Sequence, residues 1–165
     1  MMVRKSIRNL DEIEAVNNTA GEKFALTRKR LAAPTGGKEI GCSWFEVPPG
    51  KTAFPHHAHY GNEEAFFILS GRGVCRIGDE RFEISAGDYI ACPAGEENSH
   101  SIHNTGEESL RYLGISTAHA TDVIVYPDSQ KIAVIGGADM HKGLKSAPLS
   151  KMFKNPVNVD YYLDE

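Results

Sequence analysis

The sequence predicts an all-β sandwich or barrel, and three observations support this fold class. Short runs rich in Val, Ile, Phe and Tyr recur between positions 39 and 117, separated by clusters of Gly, Pro, Asn and Asp. The dipeptide Gly78-Asp79 joins two such runs in the manner of a β-hairpin. No helical pattern intervenes between the runs, so a parallel βαβ sheet is not expected.

The chain divides into three parts, and 165 residues suffice for one domain. Residues 39–117 are predicted to form the barrel, residues 1–38 an arm packed on it, and residues 118–165 a C-terminal extension with two further strands, Val123–Tyr126 and Ile132–Ile135. A short helix is expected at Leu10–Val16, because Asn9 and Glu12 have capping-box spacing. The barrel strands are predicted at Ile40–Val47, Glu64–Leu69, Val74–Ile77, Arg81–Ile84, Tyr89–Cys92, His100–Asn104 and Leu110–Ser116.

Composition and charge narrow the choice of partners. There are 18 Lys and Arg residues against 22 Asp and Glu residues, so no general attraction to nucleic acid or to an anionic membrane is expected. The basic run Arg28-Lys29-Arg30 is interpreted as a solvated edge or a dimer contact. Three widely spaced cysteines form no disulfide framework, and no secretory or membrane-spanning segment is visible. A cytoplasmic protein is therefore expected.

The candidate functional residues lie in the stretch His56-His57-Ala58-His59-Tyr60-Gly61-Asn62-Glu63-Glu64. His57 and His59 point to the same face of a strand, since side chains alternate with a period of two. Glu64 opens the next strand after a tight loop, and His100 begins a later strand. Two imidazoles and a carboxylate on one face are typical of a non-haem metal triad with open positions. Clustered histidines can equally be surface residues or hydrogen-bonded core residues.

Four further histidines are interpreted as bystanders. Two of them have the opposite strand parity to a candidate ligand, and two lie in the C-terminal extension, where solvent exposure is expected. They are His56, His103, His119 and His141.

Two segments resemble the motifs of the cupin superfamily, and the wider sequence is similar to small bacterial cupins of no settled function. The segment PPGKTAFPHHAHYGNEEAFFILSG resembles the first motif, through Gly50, His57, His59, Glu64 and Gly71. The segment GDYIACPAGEENSHSIHN resembles the second motif, in which the matching residues are Gly87, Pro93, Gly95, His100 and Asn104. The spacing from Glu64 to Gly71 favours Glu64 over Glu63 as the motif glutamate. The turn between Gly95 and His100 is longer than in the motif.

The resemblance implies a double-stranded β-helix, or jelly-roll barrel, that is often dimeric. It also implies one divalent transition metal ion inside the barrel, such as Fe, Mn, Zn or Ni. The ligands that it implies are His57, His59, Glu64 and His100.

Strand alternation suggests a largely apolar pocket beside this centre. The residues assigned to it are Phe54, Phe66, Ile68, Cys75, Ile102 and Asn104. No spare Glu, Lys or His occupies a predicted inward position, so the candidate for a catalytic base is either Tyr60 or a water bound to the metal. Val74, Phe67 and Leu69 have outward parity, and they are expected to be covered by a second barrel in a homodimer or by the terminal arms.

Three functions are compatible with these residues. The first is a metalloenzyme acting on a small oxygen-rich organic molecule, with dioxygenase-like or isomerase-like chemistry. The second is a non-catalytic module that binds a sugar or an organic acid. The third is a structural cupin in which the extension serves dimerisation.

Overall fold

The computed structural model describes residues 6–139, 142–143 and 146–164. Strands make up almost all of the regular structure in these ranges, and no helix there is long and apolar enough to cross a membrane. The strands are β1 (Val16–Ala20), β2 (Phe24–Arg30), β3 (Ile40–Val47), β4 (Ala58–His59), β5 (Glu64–Ser70), β6 (Arg72–Ile77), β7 (Glu80–Ser85), β8 (Tyr89–Cys92), β9 (His100–His103), β10 (Leu110–Thr117), β11 (Asp122–Tyr126), β12 (Lys131–Gly136) and β13 (Leu149–Lys154).

These strands form antiparallel sheets in a jelly-roll arrangement, which confirms the predicted fold class. The largest sheet has the order β1-β2-β3-β10-β5-β8. A second sheet has the order β13-β12-β11-β4, and a third has the order β7-β6-β9. A bridge between His57 and His100 connects the segment leading into β4 with β9. The bridge brings the two histidine-bearing segments together across the barrel.

The central strands form where the apolar runs and turn residues predict them. The observed bounds of β3 and β8 coincide with the predicted ones, and the other central strands differ by one or two residues at their ends. Gly78 and Asp79 form the two-residue turn between β6 and β7, since Ile77 pairs with Glu80. Gly78 has a φ of 55°, a left-handed conformation that glycine adopts without a steric penalty.

The N-terminal part contains more sheet than its polar composition suggests. Instead of a helix over Leu10–Val16, a single 3-10 turn spans Leu10–Glu12, capped by Asn9 and Glu12 as the capping box predicts. The next residues form the hairpin β1–β2, and β2 pairs with β3 over Thr27 to Arg30. The basic run therefore lies in the large sheet.

The C-terminal part contains β11 and β12 where two strands are expected, and also a third strand, β13, that the sequence does not predict. β11 pairs with both β12 and β4, so this part is hydrogen-bonded to the segment that carries the central histidines. His119 is exposed, and His141 lies outside the described residues.

The core follows the predicted alternation along β5. Phe66 and Ile68 are buried, whereas Phe67 and Leu69 retain 38% and 42% of their surface. The cluster around the two buried residues includes Phe45, Val47, Cys75, Ile84, Ile90, Ile102, Leu110 and Tyr112. On the outer face, Leu69 lines an apolar groove together with Leu10, Trp44 and Leu113. The N-terminal segment thus borders part of the face that the parity argument leaves uncovered.

Candidate metal centre and cavity

Sheet pairing brings three imidazoles and one carboxylate to one point. His57 and His59 flank Ala58 at the start of β4, and Glu64 is the first residue of β5. His100 is the first residue of β9, and it exchanges both backbone hydrogen bonds with His57, at N···O distances of 3.1 and 2.7 Å. The two imidazole centroids are consequently 4.8 Å apart. Backbone register thus brings the fourth predicted ligand to the cluster despite the longer turn before it.

The Glu64 carboxylate lies at the centre of this His–Glu cluster. Its Oε2 atom is 3.0 Å from Nε2 of His100, 3.5 Å from Nε2 of His59 and 3.8 Å from Nε2 of His57. One ligand atom from each of His57, His59 and Glu64 lies within 4.8 Å of the others. His100 is outside that tightest triad but hydrogen-bonds its carboxylate.

The outer nitrogens of the imidazoles fix their orientation. Nδ1 of His57 donates to the Pro55 carbonyl at 2.8 Å, and Nδ1 of His100 donates to the Asn98 carbonyl at 3.0 Å. Nδ1 of His59 lies 2.6 Å from Oδ2 of Asp122. With Nδ1 protonated, the lone pair of a neutral imidazole is on Nε2, which faces Glu64 in each case. This arrangement is typical of histidines that ligate a metal.

The donor set fits a divalent cation. His59 and His100 each have an acceptor at both ring nitrogens, but a neutral imidazole carries only one proton. Either an imidazolium or a cation between the nitrogens and the carboxylate satisfies all these atoms. Imidazole and carboxylate together suit Fe, Mn, Zn or Ni.

The electrostatics of the cluster keep Glu64 anionic and His57 neutral. Burial lowers the pKa of His57 to about 4. Burial alone would raise the pKa of Glu64, but hydrogen bonds from His100 and His59 hold it well below its usual range. Burial also acts to lower the pKa of His59, yet the hydrogen bonds to Asp122 and Glu64 raise it to about 9. A metal therefore has to displace a proton from His59 and none from His57.

Asp122 is a functional residue that the sequence interpretation did not identify. It is buried at the start of β11 and accepts hydrogen bonds from His59, the backbone N–H of Gly61 and the side-chain amide of Asn62. A Cβ at position 61 would approach the Thr121 carbonyl to 2.6 Å, so only glycine permits this close contact. The available signal was an aspartate directly preceding the apolar run of β11.

A cavity of about 290 Å³ opens beside the His–Glu cluster. Three of the predicted pocket residues, Phe54, Phe66 and Ile102, contribute to its wall together with Tyr112 and Tyr126. On one side the wall is formed by small residues, which are Gly41, Ser43, Gly114 and Ser116.

Three other expected pocket residues do not line this cavity. Ile68 and Cys75 are packed in the core. Ile68 lies on β5, four residues after Glu64, and Cys75 lies on β6, where it pairs with Ile102 of β9. Asn104 is fully buried, and its side-chain amide donates to the carbonyls of Val47 and Glu108. Ile68 and Asn104 have the inward parity but lie too far along the chain from Glu64 and His100 to reach the cavity, whereas Cys75 lies one strand beyond the cavity-lining Ile102.

Tyr60 also lies away from the cavity wall. It follows His59 in the chain and so points to the opposite side of the strand. Its side chain is 52% exposed, and its hydroxyl donates to Oε2 of Glu96 at 3.2 Å. A role for Tyr60 as a proton carrier at the cluster does not agree with this placement.

Two of the histidines interpreted as bystanders are turned away from the cluster. His56 is buried, and its Nδ1 has no hydrogen-bond partner among the described residues. The Nδ1 atom of His103 lies 3.1 Å from the Thr52 hydroxyl and 3.1 Å from the Lys51 carbonyl. Neither ring lines the cavity.

The basic run requires a correction. Arg28 and Arg30 both line the cavity, together with Lys38, instead of forming only a solvated edge or a dimer contact. Arg28 lies opposite Phe45 in the β2–β3 register, so it takes an inward position of the barrel sheet. The sequence of the run does not predict this placement, because three consecutive basic residues do not distinguish a strand from an exposed arm.

The fold and the site together define a β-barrel with a candidate His–Glu metal centre in a small-molecule cavity. Residues 43–116 match the model of the cupin domain. This part of the chain is a cupin domain, as the two motifs suggest.

Three similar proteins indicate the range of known relatives. The oxalate-binding protein of Thermotoga maritima is 39% identical over 71 residues, which are 43% of this chain and 56% of that one. Quercetin 2,3-dioxygenase of Bacillus subtilis is 31% identical over 113 residues, covering 65% of this chain and 33% of the enzyme. The structure of a proposed sugar phosphate isomerase from Acidithiobacillus ferrooxidans has a TM-score of 0.74 and 26% identity, covering 83% of this chain and 94% of that one. The chain thus spans about half of the first relative and a third of the second.

Proposed function

We propose that this protein is a metal-dependent enzyme that isomerises a small, oxygen-rich organic molecule. The observation that carries the proposal is the set of three imidazoles, each held at Nδ1 and aimed through Nε2 at Glu64, at the wall of a cavity. Among the relatives, the proposed sugar phosphate isomerase matches this chain over nearly its whole length, which favours isomerisation.

His57, His59, Glu64 and His100 would hold the cation. When bound, a divalent cation supplies Lewis-acid polarisation of a carbonyl or hydroxyl oxygen. The protein contributes the rest. Asp122 keeps the His59 ring oriented, and the aromatic wall of Phe54, Phe66 and Tyr126 limits the access of water.

Metal analysis is the first test. Protein prepared without a nickel column is expected to contain, or to take up from solution, about one equivalent of Fe, Mn, Zn or Ni. His57→Ala should lose that metal, whereas His119→Ala, which removes an exposed imidazole, should retain it. Equal metal content in the two variants would contradict the proposed centre.

Chemistry is tested on the metal-loaded protein. Incubation with aldose and ketose phosphates should convert each of them into its isomer, and His57→Ala should not catalyse this conversion. A tightly bound sugar or organic acid that remains chemically unchanged would instead support a binding protein, the function that the name of the Thermotoga relative suggests.

Dioxygenase chemistry is a second candidate, favoured by the 31% identity to quercetin 2,3-dioxygenase. It predicts oxygen consumption by the iron-loaded protein with catechols, 1,3-diketones or keto acids. Uptake no greater than that of His57→Ala would exclude it for these substrates.

A homodimer is proposed on the exposed apolar side chains of the outer barrel face. Phe67, Leu69 and Tyr89 retain 38%, 42% and 64% of their surface. A second barrel covering this face would remove that surface from water. Sedimentation is expected to give a dimer, and Phe67→Asp is expected to shift the protein to a monomer.

A further inference from the structure

Arg28 brings a positive charge into the cavity that contains the His–Glu cluster. Its Nε donates to the Ser43 hydroxyl at 2.9 Å, and its guanidinium carbon lies 5.4 Å from the centre of the Phe45 ring. Arginine remains charged in such surroundings, although burial lowers its pKa. In the described part of the chain, the arginine–carboxylate ion pairs involve Arg76 and Arg111, and Arg28 takes part in none of them.

Glu64 attracts Arg28 across the cavity but forms no ion pair with it, and a partly buried charge without a contacting opposite charge is costly unless a ligand supplies one. The Ser43 hydroxyl and the Phe45 ring hold the guanidinium, but neither of them neutralises it. The remaining guanidinium donors are therefore available to a group from outside the protein. Their fork geometry matches the paired oxygens of a phosphate or carboxylate.

Strand register places Arg28 and the His–Glu cluster on opposite sides of one trough. On β5, β10 and β3, Glu64 pairs with Ser116, and Ser116 pairs with Gly41. On β2, Arg30 pairs with Ser43, the next inward residue of β3 after Gly41. Glu64 and the arginine strand are thus three strand spacings apart, or about 14 Å of backbone. The hydrogen bond to Ser43 directs Arg28 along β3 toward this row.

Four small residues form part of the trough between them. Gly41, Ser43, Gly114 and Ser116 line the cavity there. A Cβ at Gly114 would come within 2.6 Å of the Phe45 ring, and one at Gly41 within 2.5 Å of the Ser116 hydroxyl. Both positions are therefore closely packed, and the cavity runs past them from the His–Glu cluster to Arg28, which line the same cavity. Arg30 and Lys38 add positive charge at the exposed rim.

We propose that Arg28, assisted at the rim by Arg30 and Lys38, binds an anionic head group of the substrate, a phosphate or a carboxylate. The oxygen atoms at the other end of the substrate then face the His–Glu cluster. The inference rests on the proposed function, because it defines the substrate class of that same cavity.

Three probes with one carbon skeleton test the charge. They are ribose 5-phosphate, riburonate, which carries a carboxylate at C5, and ribose, titrated by calorimetry into the metal-loaded protein. Tighter binding of the phosphate than of riburonate identifies the head group as phosphate, and the reverse order identifies carboxylate. Ribose is expected to bind more weakly than the better anion. Equal affinities for all three probes, or no binding of either anion at millimolar concentration, would overturn the inference.

Arg28→Gln should weaken binding of the preferred anion by roughly ten- to a hundredfold, the range of a charged hydrogen-bonded contact, and leave ribose binding unchanged. Arg28→Lys retains the positive charge but lacks the forked guanidinium, so it should weaken anion binding less than Arg28→Gln does. Arg81→Gln is the matched control, since Arg81 is exposed on β7, away from the cavity wall. Thermal unfolding of the Arg28 and Arg81 variants should agree closely. Equal anion affinities in Arg28→Gln and Arg81→Gln would refute the assignment.

The metal-free protein distinguishes failure of this inference from failure of the proposed centre. Inorganic phosphate should bind the metal-free wild-type protein and His57→Ala, and it should bind Arg28→Gln at least about tenfold more weakly. That pattern supports the anion site even if no metal is found. A protein that binds metal normally but shows no effect of Arg28→Gln on phosphate overturns the anion site alone.

Discussion

The central motif segment and the flanking segments contribute different parts of the same cavity. The central segment supplies the candidate ligands, and local chain geometry positions each of them: His57 and His59 by strand alternation, and Glu64 by the tight loop into β5. The flanking segments supply Asp122 and Arg28, which reach the cavity only through the pairing of β11 with β4 and of β2 with β3.

The candidate metal ligands therefore come from one part of the chain, and the residues that orient them or attract a charged substrate come from others. A ligand cluster can be recognised in a short stretch of sequence because its residue types and spacing are fixed by the metal. The groups that orient a ligand or attract a charged substrate need only be of the right type at the right point in space. They can therefore come from any part of the chain that the sheet brings near.

The sharpest test of the central contribution is Glu64→Gln, which retains the size of the side chain and removes its charge. Because Glu64 lies at the centre of the cluster, metal affinity should fall by more than the roughly hundredfold limit typical of an outer-sphere residue. Metal titration by calorimetry measures the loss. Glu63→Gln is the control, as Glu63 is adjacent and exposed. A larger loss of metal affinity in Glu63→Gln than in Glu64→Gln would show that Glu64 is not the motif glutamate.

The flanking contribution is tested by Asp122→Asn. The amide can still contact His59, but it no longer favours the N–H on Nδ1 electrostatically, so metal affinity should fall by about 10–100-fold. Asp128→Asn serves as the control, since Asp128 pairs with Arg76 at the surface. An unchanged metal affinity in Asp122→Asn would show that the extension does not tune the centre.

The trough between the two regions is tested by Gly114→Ala. The added methyl group would overlap the Phe45 ring, and relief of that overlap should cost about 1–3 kcal/mol of unfolding free energy. Chemical denaturation measures this cost, and metal affinity should remain close to that of the wild type. Gly136→Ala, at a strand glycine that faces Leu149, should cost less. The reverse order would mean that the wall at Gly114 is not tightly packed.

The smallest expected effect is the pH dependence of the metal-free protein. The pKa of His59 is raised to about 9, so its stabilising contribution is complete below its unfolded value of 6.5 and is lost as the pH rises through 9. The pKa of His57 is lowered to about 4, so stability is lost as the pH falls from 6.5 toward 4. Stability should therefore be greatest near pH 6.5.

Urea titrations of the metal-free protein measure this profile, with an expected loss of about 1–2 kcal/mol on the alkaline side. Asp122→Asn should flatten that alkaline limb, because it removes a bond that raises the pKa of His59. A wild-type profile that is already flat from pH 6.5 to 9 would contradict the charged state assigned to His59.

Much of the barrel could be predicted from sequence, since apolar runs and turn residues act locally. The strands β3 and β8 and the Gly78-Asp79 hairpin are examples. The hairpin β1–β2 and the strand β13 could not be predicted in this way, because their sequences are polar or irregular. These strands are stabilised by pairing with neighbouring strands of the sheets, which local propensity does not report.

The candidate site divides along the same line. The sequence determined the ligand types, their motif spacing and the alternation that turns Phe66 inward and Phe67 outward. Only the tertiary structure decided that His100 meets Glu64, that Asp122 holds His59, that Arg28 enters the cavity, and that Ile68 and Asn104 stay outside it. Alternation fixes which face of a strand a side chain takes, whereas distance to the cavity depends on the register between strands that are remote in sequence.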